Sequence, residues 1–530
     1  MREVDVFILL LTAVVLLAMA AEKRRIPHAV ALVLGGLVIG LIPGVPDVEF
    51  SPELIFLVFL PVILYPAAFR FASEDIRFVA RPVAFLAVGL VLATTVAVAL
   101  AAHFVAGLPW EIAFVLGAAL GPTDPVAATS IIRGLGAPER VSAILEGESL
   151  VNDGTGLSAL QVALGTVGAA SFALGSATVE FGGIVLGGIA VGAVVGWLAS
   201  QVRRRLDQPE VEIAISVLTA YGAFLAADRL HVSGILAAVV AGLIMGRRSP
   251  REIAPATRMR ALAFWEPIQF LAESMLFLLI GLQFAGVLDA EDGTGLGMLI
   301  GTTVVVSVVT LGVRVAWVLS VPYVAGFREA LRTRSWKPRA ILPARELALL
   351  AGGGMRGAVS AAAVLSIPVM VDGKGFPERD TLLFVGFGVV VITLVLPALG
   401  MAPLIRRLGL ESDEGPDEQD VAARLKVLEA ALERADELAR DDDVPEQALA
   451  RAREDFEMRA AQLRDEVASD EGDAPDAELH AAARDIRRQL LEAERECLTE
   501  LAEQREVTGD TFRDMERDLD LEQARLEERD

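Results

Sequence analysis

Three short stretches set ionisable and hydroxyl side chains inside runs that are otherwise apolar, and their residue types point to cation chemistry. The first is Gly121-Pro122-Thr123-Asp124-Pro125, where two prolines flank a Thr-Asp pair. Each proline removes a backbone donor and frees a carbonyl, so a helix that does this twice within one turn is expected to unwind there. The second is Glu146-Gly147-Glu148-Ser149-Leu150-Val151-Asn152-Asp153-Gly154-Thr155. Ser149 and Asp153 are four apart, as are Glu148 and Asn152, so on a helix the four make one polar face about two strips wide. Hydroxyl, amide and carboxylate oxygens are the hard ligands that a small monovalent cation takes in exchange for its water shell. The third is Gly352-Gly353-Gly354-Met355-Arg356-Gly357, in which glycines surround one arginine. That pattern predicts a broken or closely approached backbone and a buried guanidinium, which needs a carboxylate that the first two stretches can supply.

The elements that must hold these groups are membrane spans. Of the 530 residues, 54% are hydrophobic, yet the formal net charge is −23. Residues 411–530 hold 40 acidic and 17 basic side chains, which accounts for all of that charge and leaves residues 1–410 neutral and apolar. Apolar runs long enough to cross about 30 Å of hydrocarbon recur from residue 4 to residue 405, and thirteen are counted. The Thr-Asp pair falls in the fifth (111–132), the polar face in the sixth (141–164) and the glycine-arginine stretch in the twelfth (347–370). The first run, 4–21, has acids in front and its basic cluster behind, the wrong polarity for a cleaved signal. An ionisable residue within a span costs about 2.5–3.5 kcal/mol or more, so these groups are expected to line a cavity or pair.

Loop charge tests the count. Basic clusters such as Lys23-Arg24-Arg25, Arg203-Arg204-Arg205 and Arg406-Arg407 follow the odd-numbered runs, whereas most alternate loops are acidic or bare. The positive-inside rule then puts the amino terminus outside and the acidic tail in the cytoplasm. Broken spans 5 and 12 are seven apart and enter from opposite sides. This suggests inverted repeats of spans 1–6 and 8–13, with span 7 as linker and crossed broken helices at the midplane, the arrangement of alternating access.

Composition excludes other classes. No part is basic overall, so a nucleic-acid binder is excluded. The single cysteine, Cys497, rules out a disulfide framework, and four histidines without ligand spacing speak against a metal hydrolase. No nucleophile–base pair suggests an enzyme, and no cofactor is expected. Glu266 and Glu273 in span 10 and Arg314 in span 11 read as structural ion pairs or interfacial groups, and His103 and His231 as incidental. The tail reads as mixed-charge helices broken near 441–445 and 470–475, a helical appendage.

Gly-Pro-Thr-Asp-Pro at 121–125, Gly-Glu-Ser-Leu-Val-Asn-Asp-Gly at 147–154 and Met-Arg-Gly-Ala-Val-Ser at 355–360 resemble monovalent cation/proton antiporter family 1, the prokaryotic sodium/proton antiporters related to the animal sodium/proton exchangers. The resemblance covers roughly residues 1–410. It implies an all-α polytopic membrane protein of thirteen transmembrane helices in the cell (inner) membrane, a homodimer in the lipid bilayer, and an elevator-like core that exchanges Na+ for H+. Asp153 is then the carboxylate that binds cation or proton, with Ser149, Asn152, Thr123 and Asp124 as supporting groups, Na+ at Asp153, Ser149 and Thr123, and Glu148 as the partner of Arg356. Where the family carries an acid in span 3, this chain has Pro66, which leaves K+/H+ exchange as an alternative; a gated cation channel or a transporter-like sensor are the rivals from other classes. Desolvation raises the proton affinity of a carboxylate, so competition between Na+ and H+ for one buried acid is sufficient for exchange. Asn152, an amide, precedes Asp153 where a second acid could stand, so the expected exchange is electroneutral.

Overall fold

A computed structural model describes residues 3–24, 26–43, 52–71, 85–124, 126–135, 138–167, 174–206, 208–290, 295–333, 342–371, 373–410, 418–440 and 445–470, with isolated positions beyond. Pro125, the loop acids Asp47 and Glu49, Arg77 and Arg81, and most of the tail after residue 470 lie outside the described residues. The chain divides into two compact units, Met1–Glu411 and Ser412–Asp530.

The first unit is almost entirely helical. In chain order it contains α1 (Glu3–Arg24), α2 (His28–Gly40), α3 (Pro52–Phe71), a π-helical turn (Phe85–Leu90) leading into α4 (Val91–Ala106), α5 (Trp110–Ala119), α6 (Val126–Gly134), α7 (Glu139–Thr166) and α8 (Leu174–Arg203). There follow α9 (Pro209–Arg229), α10 (Gly234–Glu252), α11 (Pro255–Ala290), α12 (Leu296–Thr333), α13 (Ala344–Gly352), α14 (Ala358–Leu365), a two-residue hairpin (Met370–Val371 with Lys374–Gly375) and α15 (Arg379–Leu408). Local chemistry marks the ends. Prolines 27, 109 and 343 stand immediately before α2, α5 and α13, and left-handed Gly107 and Gly409 close α4 and α15.

Among the described residues, seven helices are long and apolar enough to cross a membrane: those within α1, α4 with its π turn, α8, α9, α11, α12 and α15. This is fewer than the thirteen runs, for a physical reason. The fifth and twelfth runs are each broken into halves, of 10 and 9 residues and of 9 and 8, too short to span alone. The carboxylates of α7 lower its mean hydropathy, while α2, α3 and α5 are shorter apolar helices.

Both breaks lie in the core. Residues 118–123 and 353–365 are buried throughout, and α14 packs on α3, α5, α7, α11 and α15. Backbone polar groups cannot be left unsatisfied in such surroundings. The unwound segments meet each other: Asp124 N–H donates to Met355 O at 2.9 Å. The approach depends on glycine. A Cβ at Gly357 would overlap Asp124, one at Gly354 would overlap Arg314, and one at Gly156 of α7 would strike Pro122.

In the second unit, α16 (Glu418–Leu438) and α17 (Glu446–Asp470) pack together. Arg453 bridges Asp436 and Glu457, both at 2.7 Å. These pairs are exposed and screened by solvent, so the helices rest on their narrow apolar seam more than on charge.

The tightest of these packing positions yields a measurable expectation. Gly357→Ala should lower stability by about 1–3 kcal/mol through overpacking against Asp124, a side chain that cannot retreat without losing its own hydrogen bonds. Thermal melts of the detergent-purified protein check it; a melting temperature unchanged from the parent chain would show that the two segments separate readily.

Candidate functional site

Each broken helix caps the other. The Asp124 carboxylate accepts the Ala358 N–H through Oδ2 at 3.1 Å, placing an anion at the N-terminus of α14, where the helix dipole and unpaired amides favour it. In the other direction, Arg356 Nη1 donates to Gly121 O at 3.0 Å and Pro122 O at 2.9 Å, and Ser360 Oγ donates to Pro122 O at 2.8 Å. Those carbonyls lie beyond the last turn of α5, so the guanidinium and hydroxyl supply the donors that a continued helix would have given them.

This overturns one expectation. Glu148 is not paired with Arg356. Its two oxygens are held by Arg314 of α12, with Nη1 to Oε1 at 2.6 Å and Nη2 to Oε2 at 3.1 Å, a bidentate bridge in which Arg314 is 2% and Glu148 1% exposed. Arg314 also donates to Leu350 O from Nε and Nη2, at 3.2 and 2.9 Å, closing the end of α13. The reason is one of geometry. Arg356 sits within the break and finds carbonyls nearer than any carboxylate, while Gly354 leaves the space through which Arg314 reaches across. The sequence signal was an arginine alone in the apolar run of α12, read as either a structural ion pair or an interfacial group; the structure makes it the partner of Glu148. Ser360 was not singled out at all; it lies two residues into α14, inside the quoted Met-Arg-Gly-Ala-Val-Ser stretch.

The polar face of α7 extends this network. Thr123 Oγ1 donates to Glu148 Oε1 at 3.0 Å and accepts a short hydrogen bond from Asn152 Nδ2, which also approaches Thr123 O at 3.4 Å. Thr123, Glu148 and Asn152 are therefore brought together as a chain. Asp153 is the exception. It is 3% exposed, lies beside Ser149 one turn earlier, and its Oδ1 is buried without a hydrogen-bond partner; Asn152 Oδ1 is likewise unpartnered. A buried polar atom left unpaired costs about 1–3 kcal/mol, more for a charged group. Two such acceptors on adjacent residues mark where an added cation or proton would be stabilised. No cluster of three or more His, Cys, Asp or Glu suited to a resident metal occurs among the described residues. Pro66 faces elsewhere: it lines a cavity with Tyr65, Phe69, Arg203, Glu212 and Trp265.

Charges at the crossing nearly balance. Asp124, Glu148 and Asp153 oppose Arg314 and Arg356, so with every group ionised one negative charge is left over.

The bridge can be tested as a pair. Arg314→Ala or Glu148→Ala alone should destabilise by about 3–5 kcal/mol by stranding a buried charge, and the double variant should cost clearly less than the two together. Melting curves of the three variants decide it, and strict additivity would show that the two do not depend on each other.

Comparison with known proteins follows the same lines. Residues 9–407 match the family described as sodium/hydrogen exchanger, transmembrane. The chain is 32% identical over 526 residues to the uncharacterized Na(+)/H(+) exchanger Mb2309 of Mycobacterium bovis, covering 98% of this chain and 96% of that one. It is 30% identical over 557 residues to the uncharacterized Na(+)/H(+) exchanger YjcE of Escherichia coli, with 99% of each covered. To the Na(+)/H(+) antiporter ApNhaP of Aphanothece halophytica it is 34% identical over 416 residues, 77% of this chain and 75% of that one. The solved structure of the sodium proton antiporter MjNhaP1 from Methanocaldococcus jannaschii superposes with a TM-score of 0.57 at 21% identity, covering 77% of this chain and 99% of that chain, which shows a shared fold. With the match spanning most of the chain and relatives alike along nearly their whole length, the protein belongs to the sodium/hydrogen exchanger family.

Proposed function

We propose that the chain is a secondary-active Na+/H+ antiporter of the cell membrane that binds either ion at Asp153. The single observation that carries this reading is the buried Asp153 carboxylate with an unpartnered oxygen, set against two broken helices whose other polar groups are nearly all engaged. Ser149 and Asn152, with Thr123 holding Asn152 in place, complete the oxygen-rich surroundings that a dehydrated monovalent cation takes. Li+, of the same charge and smaller, fits the same ligands.

The hydrogen bonding supports a reading of alternating access. The mutual caps tie α5, α6, α13 and α14 to α7 and α12 as one block, which moves past its surroundings when Asp153 is neutralised by Na+ or H+. We read this as an elevator-like motion within thirteen spans and two inverted repeats, with the amino terminus outside and residues 411–530 as a cytoplasmic appendage. The exposed apolar side chains of α1 and α8, such as Leu16, Met19, Leu186 and Trp197, offer surface for the bilayer and for a second copy in a homodimer.

The proposed exchange is electroneutral. Asp124 is engaged with the N-terminus of α14 and Glu148 with Arg314, so Asp153 alone cycles, and the one uncompensated charge at the crossing takes one Na+ or one H+. The loaded block then carries the same charge in either form, and the membrane potential does no net work.

Asp153→Asn should abolish cation-driven proton movement while the protein still inserts and folds, since removing a buried charge does not harm stability. Dequenching of a pH dye in reconstituted vesicles on adding Na+, Li+ or K+ in turn reads both the loss and the ion preference; exchange retained by the variant would displace the site from Asp153, and a response to K+ alone would make the chain a K+/H+ exchanger. Once K+ is excluded as a substrate, clamping vesicles with K+ and valinomycin should leave the balancing ΔpH for a fixed Na+ gradient unmoved. A charge-coupled step would shift it by about 2.3 kcal/mol per charge per 100 mV.

A further inference from the structure

Glycines at which a Cβ would overlap a neighbouring helix sort the first unit into two sets of closely packed helices. Gly117 of α5 lies on α4, Gly388 and Gly386 of α15 lie on α12 and α14, and Gly156 of α7 lies on Pro122. In the other set, Gly36 of α2 lies on α11, Gly192 of α8 on α10, and Gly242 of α10 on α3. Among the described residues, a single approach of this kind joins the sets. Gly154 of α7, next to Asp153, receives Leu236 of α10, whose Cδ2 occupies the space that a Cβ of Gly154 would need.

Leu236 is firmly mounted. It is buried, its N–H donates to Ser233 Oγ at 3.3 Å, and the Ser233 N–H in turn donates to Ile184 O of α8 at 3.2 Å. A side chain held in this way is a fixed knob, and the missing Cβ of Gly154 is its hole. The same face of α7 carries a second glycine. Gly147 stands seven residues before Gly154, within about 20° of it around the helix and about 10 Å away along the axis, and it is also buried. Between the two stand Leu150 and Val151, four and three residues before Gly154. Sliding α7 past Leu236 by one turn therefore sets a leucine or valine against the knob, an overpacked contact, whereas sliding it by two turns brings up the next glycine. Surfaces patterned like this rest in discrete positions and not in a continuous range.

Resting on the reading of Asp153 as the ion site of a moving block, we propose that Gly154 and Gly147 are two alternative seats for Leu236, one for each end of the transport stroke. Leu236 occupies the first seat here. In the second, the block has moved by two helical turns; on the proposed topology α7 runs outward, so the move carries Asp153 toward the outer face. The two glycines bracket Glu148, Ser149, Asn152 and Asp153 in the sequence. Along the helix axis, these four polar residues therefore lie on the cytoplasmic side of the knob in one seat and on the outer side in the other. Leu236 is a positioning residue: it binds no ion and sets where the block stops.

Cross-linking in reconstituted vesicles tests the second seat. In a Cys497→Ser background, Leu236→Cys is combined with either Gly154→Cys or Gly147→Cys and oxidised with copper phenanthroline during exchange. A disulfide needs Cα atoms within about 7 Å of each other, so each pair should close only while its seat is occupied. Both pairs should form, each stopping exchange until a reducing agent restores it. A Gly147→Cys pair that never closes while the Gly154→Cys pair does, or that closes without stopping exchange, would overturn the proposal. Should the cysteine pairs fail to insert, Gly147→Ala supplies a second reading: it should lower kcat roughly tenfold, an overpacking penalty expressed as a rate, and lose that effect in a Leu236→Ala background, where the knob is gone. An unchanged kcat, or a loss that persists in the Leu236→Ala background, would equally overturn the second seat. Asp153→Asn separates the two readings, because exchange that survives in Asp153→Asn while both cysteine pairs close would displace the ion site and leave the seats standing.

Discussion

Unwound backbone in the middle of a hydrophobic core must have its hydrogen bonds supplied from outside the helix, and the rest of the first unit is arranged around that requirement. Two breaks face each other, and each provides what the other lacks. The segment after α5 has exposed carbonyls and meets a guanidinium and a hydroxyl, while the segment before α14 has unpaired amides and meets a carboxylate. Helix dipoles reinforce the choice of sign, since the cation lies at a helix C-terminus and the anion at an N-terminus. Neither break would be tolerable alone.

Once Asp124 and Arg356 are committed to capping, the remaining charges fall into place. Glu148 needs a cation and takes it from α12, and the same arginine closes α13, so one side chain ties three helices together. Thr123 and Asn152 pass this order along the surface of α7. Asp153 is left as the acid without a fixed countercharge, beside Asn152, whose amide is held by Thr123. On the proposed reading of Asp153 as the ion site, such surroundings favour binding, because neighbours already held in place need little rearrangement.

The same rigidity bears on transport. A block whose parts are joined by buried charge-assisted bonds resists internal deformation, which is why the proposed change of access is a motion of the whole block rather than a rearrangement within it.

Much of this was legible in the chain itself. The apolar runs, the double proline around Thr123-Asp124, the four-residue spacing of Glu148, Ser149, Asn152 and Asp153, and the glycines around Arg356 determined where helices form, where they break and which face is polar, because these depend on local backbone chemistry and helical periodicity. The division at about residue 411 was equally local, a change of composition. Partner choice was not. Whether Arg356 or Arg314 binds Glu148 depends on which atoms come within 3 Å of each other when helices distant in sequence are packed, and on the missing Cβ atoms at Gly354 and Gly357 that let side chains through. The role of Asp124 as a cap, the unpartnered oxygen of Asp153 and the seating of Leu236 on Gly154 arise in the same way, from contacts that only the tertiary structure brings together.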